Sequence, residues 1–330
     1  MNRRDLIALI GGAAAWSVAA RAQQLVVRRV GVLMGGVATD AQGRAWVAAF
    51  GEGLRQAGWT EGQNLRIDVR WNGADAELAR TYAAQLIGLM PDVILADTTI
   101  NLTVIQQATI TVPVVFLRVS DPVAQGFVTS VRQPGGDITG FSSYEFAIGG
   151  KWLDLVKQVA PSLSRVAVMF HPEESPQSKF FMQAVEAAAP SFGVEVIGMP
   201  VRAIAEIEPA LERFARRANG GLILPTGGFT QLNYKLIADL AVHNRLTSIS
   251  SQSGYAKQGG LMDYDATINW VSQFRQASIY VDRILRGAKP GDLPIQQPEK
   301  YTLAINLQTA KALGLTLPSG LLASADEVIE

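Results

Sequence analysis

Short, almost wholly apolar runs recur along this chain, and each is followed by a stretch of helical period. The runs lie at 30–34, 65–69, 92–96 and 112–116, and then, beyond the break Gly135-Gly136-Asp137-Ile138-Thr139-Gly140, at 166–170, 195–197, 221–224 and 247–249. Consecutive apolar residues without polar alternation suit strands covered on both faces. Between the first two runs Trp46, Phe50 and Leu54 fall four apart, with Asp40 placed to cap the helix and Gly58 to stop it. Behind Asp75 follow Ala79, Tyr82, Ala83, Leu86, Ile87 and Met90, ended by Pro91. The second half repeats the arrangement, with stripes through Phe181 and Val185, Ile207 and Leu211, and Leu236 and Leu240. Strand and helix alternating in this way predict an α/β chain of two doubly wound parallel-sheet lobes. The tail adds a run at 260–264, a helix striped by Trp270, Phe274, Ala277, Val281 and Ile284, a Gly/Pro-rich loop, and a last strand at 301–305.

The first residues read differently. Arg3 and Arg4 precede an apolar run of about fifteen residues, too short for the ~20 that a spanning helix needs. Ala20-Arg21-Ala22 then fits the small-x-small rule, so residues 1–22 are expected to be an export signal cleaved after Ala22. The Arg-Arg pair is twin-arginine-like. With the signal removed, no stable membrane insertion is expected, and a freely diffusing periplasmic protein follows. Basic and acidic side chains balance at 29 each, and no Lys/Arg cluster is interleaved with aromatics, so nucleic acid is not an expected partner. The chain has no cysteine, which excludes both disulfide staples and a lipid-bearing cysteine anchor.

Several strands end by breaking into glycine or small polar residues just before a helix. These endings hold Gly35 and Gly36, Thr98 and Thr99, Ser120 and Asp121, His171 and Glu174, and Thr226 and Gly227. Ligands of parallel sheets bind at the carboxyl edge of the strands, where helix N-termini offer free N–H groups, so the five endings are expected to line one crevice. Thr98, Ser120, Asp121 and Thr226 would equally serve as plain helix caps. Asp97-Thr98-Thr99, with no Lys or Arg close in sequence, suits a carboxylate; Asp121 and Glu174 suit an ammonium, and Tyr144 an apolar side chain. Asp263 and Glu174 would form an acid/base pair only if the fold joined them. No metal or nucleotide motif is present: the chain has two histidines, and the stretch from Gly31 to Gly36 lacks the G-x-G-x-x-G spacing. No cofactor is expected.

Glu61-Gly62-Gln63-Asn64, Ser120-Asp121-Pro122-Val123, Arg132-Gln133-Pro134-Gly135-Gly136 and Gly259-Gly260-Leu261-Met262, followed by the 284–294 loop, Ile305-Asn306 and the 312–318 ending, resemble the ABC-transporter substrate-binding proteins of the tryptophan-binding type. The resemblance covers nearly the whole chain. It implies a type I periplasmic-binding fold whose chain crosses between lobes three times, near Thr139, Gly259 and Leu293. Lobe 1 would then be 29–139 plus 259–292, and lobe 2 would be 140–258 plus 293–330. Where that family often has Asn-Pro-x-Glu-Pro-Asn, this chain has His171-Pro172-Glu173-Glu174-Ser175-Pro176-Gln177.

The implied function is a monomeric, non-enzymatic periplasmic protein that captures an amino-acid-like or aromatic small molecule between its lobes and delivers it to ABC permease subunits. Two alternatives stand beside it. One is an exported α/β hydrolase or isomerase using Asp121, Glu174 or His171. The other is a sensory ligand-binding protein.

Overall fold

The computed structural model describes residues 27–108 and 111–330; the expected export signal at 1–22 lies outside them. The first lobe is a five-stranded sheet, all parallel, in the order β2-β1-β3-β4-β5. Its strands are β1 (Arg28–Met34), β2 (Leu65–Trp71), β3 (Val93–Asp97), β4 (Val114–Val119) and β5 (Ile138–Ser142). Between them run helices α1 (Ala41–Gln56), α2 (Ala76–Gly88) and α3 (Thr99–Gln107). Asp40 and Asp75 cap α1 and α2 as their positions predict, each carboxylate accepting from two backbone N–H groups of the first turn.

The second lobe begins with α4 (Ile148–Val159), followed by β6 (Arg165–Phe170), α5 (Ser178–Phe192), β7 (Glu195–Pro200), α6 (Ile204–Ala215) and β8 (Gly220–Leu224). The short α7 (Gly228–Leu232), α8 (Tyr234–His243), β9 (Thr247–Ser250) and β10 (Met262–Ala266) come next. Its seven-stranded sheet is completed from the tail, by β11 (Tyr301–Asn306), antiparallel to β10, and β12 (Glu327–Ile329), with the short helices α10 (Leu307–Ala312) and α11 (Ser319–Ser324) between them.

Between β10 and β11 the chain leaves this lobe, and α9 (Trp270–Leu285) packs on the first. The first sheet needs it there. α2 and α3 cover one face through Ala79, Leu86, Leu102 and Ile105, whereas the other has only α1 until α9 adds Phe274, Ala277 and Val281, all fully buried. Trp59 Nε1 donates to Asp282 at 2.8 Å and an Arg286 N–H to the Ala57 carbonyl at 2.9 Å, fixing the register. The two helices approach closely at Gly53, where an added Cβ would fall 2.1 Å from Ser278 Oγ and 3.1 Å from the Arg275 carbonyl oxygen.

The crossings lie a few residues beyond the expected positions. β5 stays in the first sheet through Ser142, which pairs with Val119, so the first crossing is at 143–147 and not near Thr139. The second falls at 267–269, not near Gly259. Gly259 instead closes a turn within the second lobe with φ +99, and a Cβ at Gly260 would meet the Tyr255 ring at 2.2 Å. β10 therefore pairs with β9 and belongs to lobe 2. The third crossing follows Gln296, not Leu293, because Gln296 still bridges Phe141 at the edge of the first sheet.

Asp263 shows what holds β10 in place. Only 2% exposed, it accepts from the Gly254 and Ala256 N–H groups at 2.9 and 3.0 Å. Burial pushes its carboxyl up to about 7 against the pull of those two donors. A raised folded-state value means that the native chain binds more protons than the unfolded chain between about pH 4 and 7. Stability from this group is complete at the acid end of that window and falls as pH rises through it, by at most about 1.4 kcal/mol per pH unit. Urea unfolding from pH 4 to 8 should show this decline, and Asp263→Asn should flatten it. A second expectation concerns the helix contact: Gly53→Val should lower the urea-derived stability by about 1–3 kcal/mol, because even with the Ser278 hydroxyl rotated away the new Cβ meets Ser278 Cβ at 2.9 Å and the Arg275 carbonyl at 3.1 Å.

Candidate functional site

The carboxyl ends of both sheets meet the space between the lobes. On the first lobe, β1 ends at Gly35 and Gly36, and the Gly35 N–H donates to Asp97 Oδ2 at 3.0 Å. A side chain at Gly35 would strike Thr98, whose Cγ2 lies 2.6 Å from the position of its Cβ. Thr98 itself has φ +83 and starts α3 without a side-chain cap, leaving the first N–H groups of that helix unclaimed by any side chain among the described residues. Asn101 anchors this corner from within. Its Nδ2 donates to the Asp97 and Leu33 carbonyls, at 2.7 and 3.0 Å, and its Oδ1 accepts from Asn72. The end of β1 at Gly35 and Gly36 thus adjoins the start of α3 at Thr98 and Thr99 through the Gly35–Thr98 approach.

The same corner holds a cation that the local sequence hides. Arg118, in β4, places Nε 3.0 Å from Asp97 Oδ1. Its guanidinium carbon lies 4.8 Å from the Trp46 ring centroid and 5.7 Å from that of Trp270. The expectation of an anion site without nearby Lys or Arg is therefore corrected: pairing of β3 with β4 supplies an arginine from twenty residues downstream. Burial pushes the Asp97 carboxyl up, while Arg118 and the Gly35 amide pull it down. The detectable signal was an arginine inside the apolar run Val114-Val115-Phe116-Leu117-Arg118-Val119, which has no wet face to give it.

Ser120, Asp121 and Tyr144 sit together at the first crossing, and there they brace the chain. Asp121 has φ +36; Oδ1 accepts from the Ala124 N–H at 3.0 Å and Oδ2 from the Phe146 N–H at 3.1 Å. Its own N–H donates to the Tyr144 carbonyl at 2.6 Å. Both carboxylate oxygens are thus engaged by backbone, the plain capping role. Ser120 is buried beside it. Tyr144, expected as a platform for a ligand side chain, is 4% exposed and packs edge-on against Phe181 in the second lobe's core. Its hydroxyl lies 2.9 Å from the Ser251 carbonyl and is also hydrogen-bonded to Asp265. Burial pushes the Asp265 carboxyl up, against the pull of the Tyr144 hydroxyl and the Ser253 N–H.

On the second lobe, His171 and Glu174 share the loop after β6. His171 Nδ1 accepts from the Glu174 N–H at 3.1 Å, so its hydrogen resides on Nε2, 3.7 Å from the Glu174 carboxylate. The imidazole also packs on Phe229, with ring centroids 5.2 Å apart. Thr226 and Gly227 lie at the end of β8: Gln177 Nε2 donates to the Thr226 carbonyl and the Gly227 N–H to Gln252 Oε1. Ser175 Oγ comes so close to Gly227 that a Cβ there would lie 2.6 Å from it. Asp263 is enclosed by its own turn and makes no bond to Glu174, so the fold does not assemble that acid/base pair.

Seven buried side-chain polar atoms lack a hydrogen-bond partner among the described residues. Four of them lie at these strand ends: Asp97 Oδ1 on the first lobe, and Gln177 Oε1, Ser178 Oγ and Ser251 Oγ on the second. Sequence reasoning did not single out Gln177, Ser178 or Ser251; only their position beside the expected endings marked them. Among the described residues, every hydrogen bond or ion pair linking the lobes falls at the crossings or next to them, as between Val119 and Ser143, Asp121 and Phe146, and Glu145 and Gln297. No group of three or more His, Cys, Asp or Glu side chains is arranged to hold a metal among the described residues.

Known proteins share this fold. In solved structures, a conserved domain protein of Vibrio cholerae O1 biovar El Tor superposes with a TM-score of 0.76 at 24% identity, covering 92% of this chain and 99% of that one. An ABC domain from Streptococcus pneumoniae in complex with L-Trp gives 0.74 at 21% identity, covering 92% and 100%. A ligand-free, open substrate-binding protein with adhesive properties from Clostridium difficile gives 0.64 at 24% identity, covering 92% and 99%. In sequence, the tyrosine-binding protein of Clostridioides difficile strain R20291 is 25% identical over 270 residues, which are 81% of this chain and 75% of that protein. The family described as ABC transporter substrate binding protein matches residues 29–329. With its two α/β lobes joined at three crossings, this chain belongs to that family.

Proposed function

We propose that this substrate-binding protein works in the periplasm of an exporting cell, captures an aromatic amino acid or a close analogue between its lobes, and releases it unchanged to ABC permease subunits. The observation that carries the reading is the clustering of orphaned buried polar atoms at the carboxyl edges of both sheets. Native proteins rarely leave such atoms unpaired: a small polar molecule would pair the amide and hydroxyls of the second lobe, and a realigned Arg118 the Asp97 oxygen of the first. The relatives that bind tyrosine and L-Trp support the choice of ligand class.

Within this reading the carboxylate meets the first lobe at Thr98, Thr99 and the start of α3. The ammonium meets Glu174 on the second lobe, because Asp121 is committed to its turn. His171, Thr226 and Gly227 border the same edge. Closure about the three crossings brings the edges together, and the ligand favours the closed form only through contacts that the open form does not make. The Arg3-Arg4 signal and cleavage after Ala22 provide the route out of the cytoplasm.

Small-angle scattering and thermal denaturation with L-tyrosine and L-tryptophan test this. The radius of gyration should fall on ligand addition, and stability should rise by about 2.7 kcal/mol at a hundredfold excess over Kd. Recovery of the ligand chemically intact is expected. An unchanged envelope at saturation contradicts closure, and turnover of the ligand would favour the hydrolase. The exported protein should begin at Gln23 on N-terminal sequencing, and a periplasmic form still starting at Met1 would reject the cleavage.

A further inference from the structure

We infer that Arg118 is the residue that selects ligands by their carboxylate, receiving it on the outer N–H groups of its guanidinium. The inference rests on the amino-acid reading above and adds to it the chemical group that is recognised and the side chain that recognises it.

Three observations meet at Arg118. First, the pairing of β4 with β5 shifts register between Phe116 and Val119, and Arg118 sits in that irregularity with φ +55. A non-glycine residue is strained in this region, and such irregularities re-aim a side chain that a regular strand would bury. Second, the guanidinium is held but not consumed. Trp46 and Trp270 lie against it, with their own rings 6.2 Å apart and tilted by 53°, and Asp97 stands at its Nε end. Yet the side chain remains 29% exposed, and it donates no hydrogen bond among the described residues. Third, Asp97 Oδ1, in a residue only 1% exposed, is 3.0 Å from Nε and still lacks a hydrogen bond, so the ion pair is close but misaligned.

An arginine with two indoles against one side and a carboxylate at Nε keeps its two Nη atoms unengaged among the described residues, and these form the planar fork that matches a carboxylate in a bidentate pair. The uncapped start of α3, reached through Thr98 directly after Asp97, adds backbone N–H groups of the same polarity. When a carboxylate seats on the fork, Arg118 lies between two anions. Rotating the guanidinium to share its N–H groups between them aligns Nε with Asp97 and removes the orphan. Asp97 is in this arrangement a positioning residue.

The test compares acids with amines of the same ring. L-Tyrosine and L-tryptophan are titrated calorimetrically beside tyramine and tryptamine, which keep ring and ammonium but lack the carboxylate. Wild-type protein should bind the amino acids roughly 100-fold more tightly than the amines. Arg118→Gln should erase that preference by weakening the amino acids alone. Arg118→Lys, which keeps the charge and loses the fork, should recover part of it, and serves should the glutamine variant fail to fold as judged by its urea midpoint.

Equal wild-type affinity for acid and amine, or a variant that loses both in proportion, overturns the assignment to Arg118 while leaving an amino-acid-binding protein standing. A wild-type protein that binds no amino acid but is stabilised by a neutral polyol rejects the ligand class, and the assignment with it.

Discussion

The packing of α9 on α1 is the contact on which the remaining architecture depends. A parallel sheet must be covered on both faces, and the first five strands bring only three helices with them. The uncovered half of one face is closed by Phe274, Ala277 and Val281, supplied by a segment that follows β10 of the other lobe. Full burial of Phe274 and of Val281 contributes about 1.5–3 kcal/mol each, comparable to much of a domain's net stability. The chain therefore leaves the second lobe, docks this helix, and returns to complete the second sheet with β11 and β12. Two of the three crossings exist because of that excursion. The same helix begins with Trp270, so the contact that closes the core also brings an indole to the Arg118 guanidinium at the sheet edge.

At that edge the electrostatics differ from those of a resting surface. Surface ion pairs contribute little, whereas Asp97 is removed from water and faces Arg118 across 3.0 Å without a formed hydrogen bond. The cost of desolvating such a group is recovered only when its lone pairs are satisfied. The cation–π contacts with Trp46 and Trp270 keep the arginine in place meanwhile, at about 2 kcal/mol when desolvated. The second lobe answers with uncharged groups, Gln177, Ser178 and Ser251, beside the carboxylates of Glu173 and Glu174 on either side of His171. One lobe is thus suited to hold an anion and the other to complete a polar network around it.

Much of this was legible in the sequence because the signals were local. Apolar runs with no polar alternation marked the buried strands, and Asp40 and Asp75 marked helix starts whose caps form as expected. The doubled alternation, together with the family resemblance, identified two lobes. What escaped was set by pairing across the sheet. The fourth run ends at residue 116 when read by hydropathy, since Arg118 interrupts it, yet β4 continues to Val119. Gly259-Gly260 looks like a break between lobes; only the Tyr255 ring over Gly260 shows that it is a turn inside one. Asp121 has the composition of a ligand-binding loop residue, but the Phe146 N–H that occupies its second oxygen comes from the far side of a crossing. Tyr144 is likewise decided by Asp265 and Ser251, more than a hundred positions away.

The distribution of inter-lobe bonds sets how much a ligand must do. Because they are confined to the neighbourhood of the crossings, moving the lobes together requires no interface to be broken first. The braces at the crossings limit the motion in a specific way. Asp121 ties the end of β4 to the first crossing, and the Tyr144 hydroxyl ties that crossing to Asp265, just before the second. The third crossing is tied in as well, because Gln297 Nε2 donates to Glu145 at 2.7 Å and the Thr267 N–H to the Lys300 carbonyl at 2.8 Å, so all three crossings are cross-linked. A ligand then needs only a differential affinity for the closed arrangement, and about 5.5 kcal/mol carries the population from one part in a hundred to ninety-nine. One charged, desolvated hydrogen-bonded contact on the first lobe and a few neutral ones on the second are of that magnitude. Under the proposed function the free energy of closure would come from ligand contacts at the two edges, and the bonds among the crossings would let contacts on separate sheets act together.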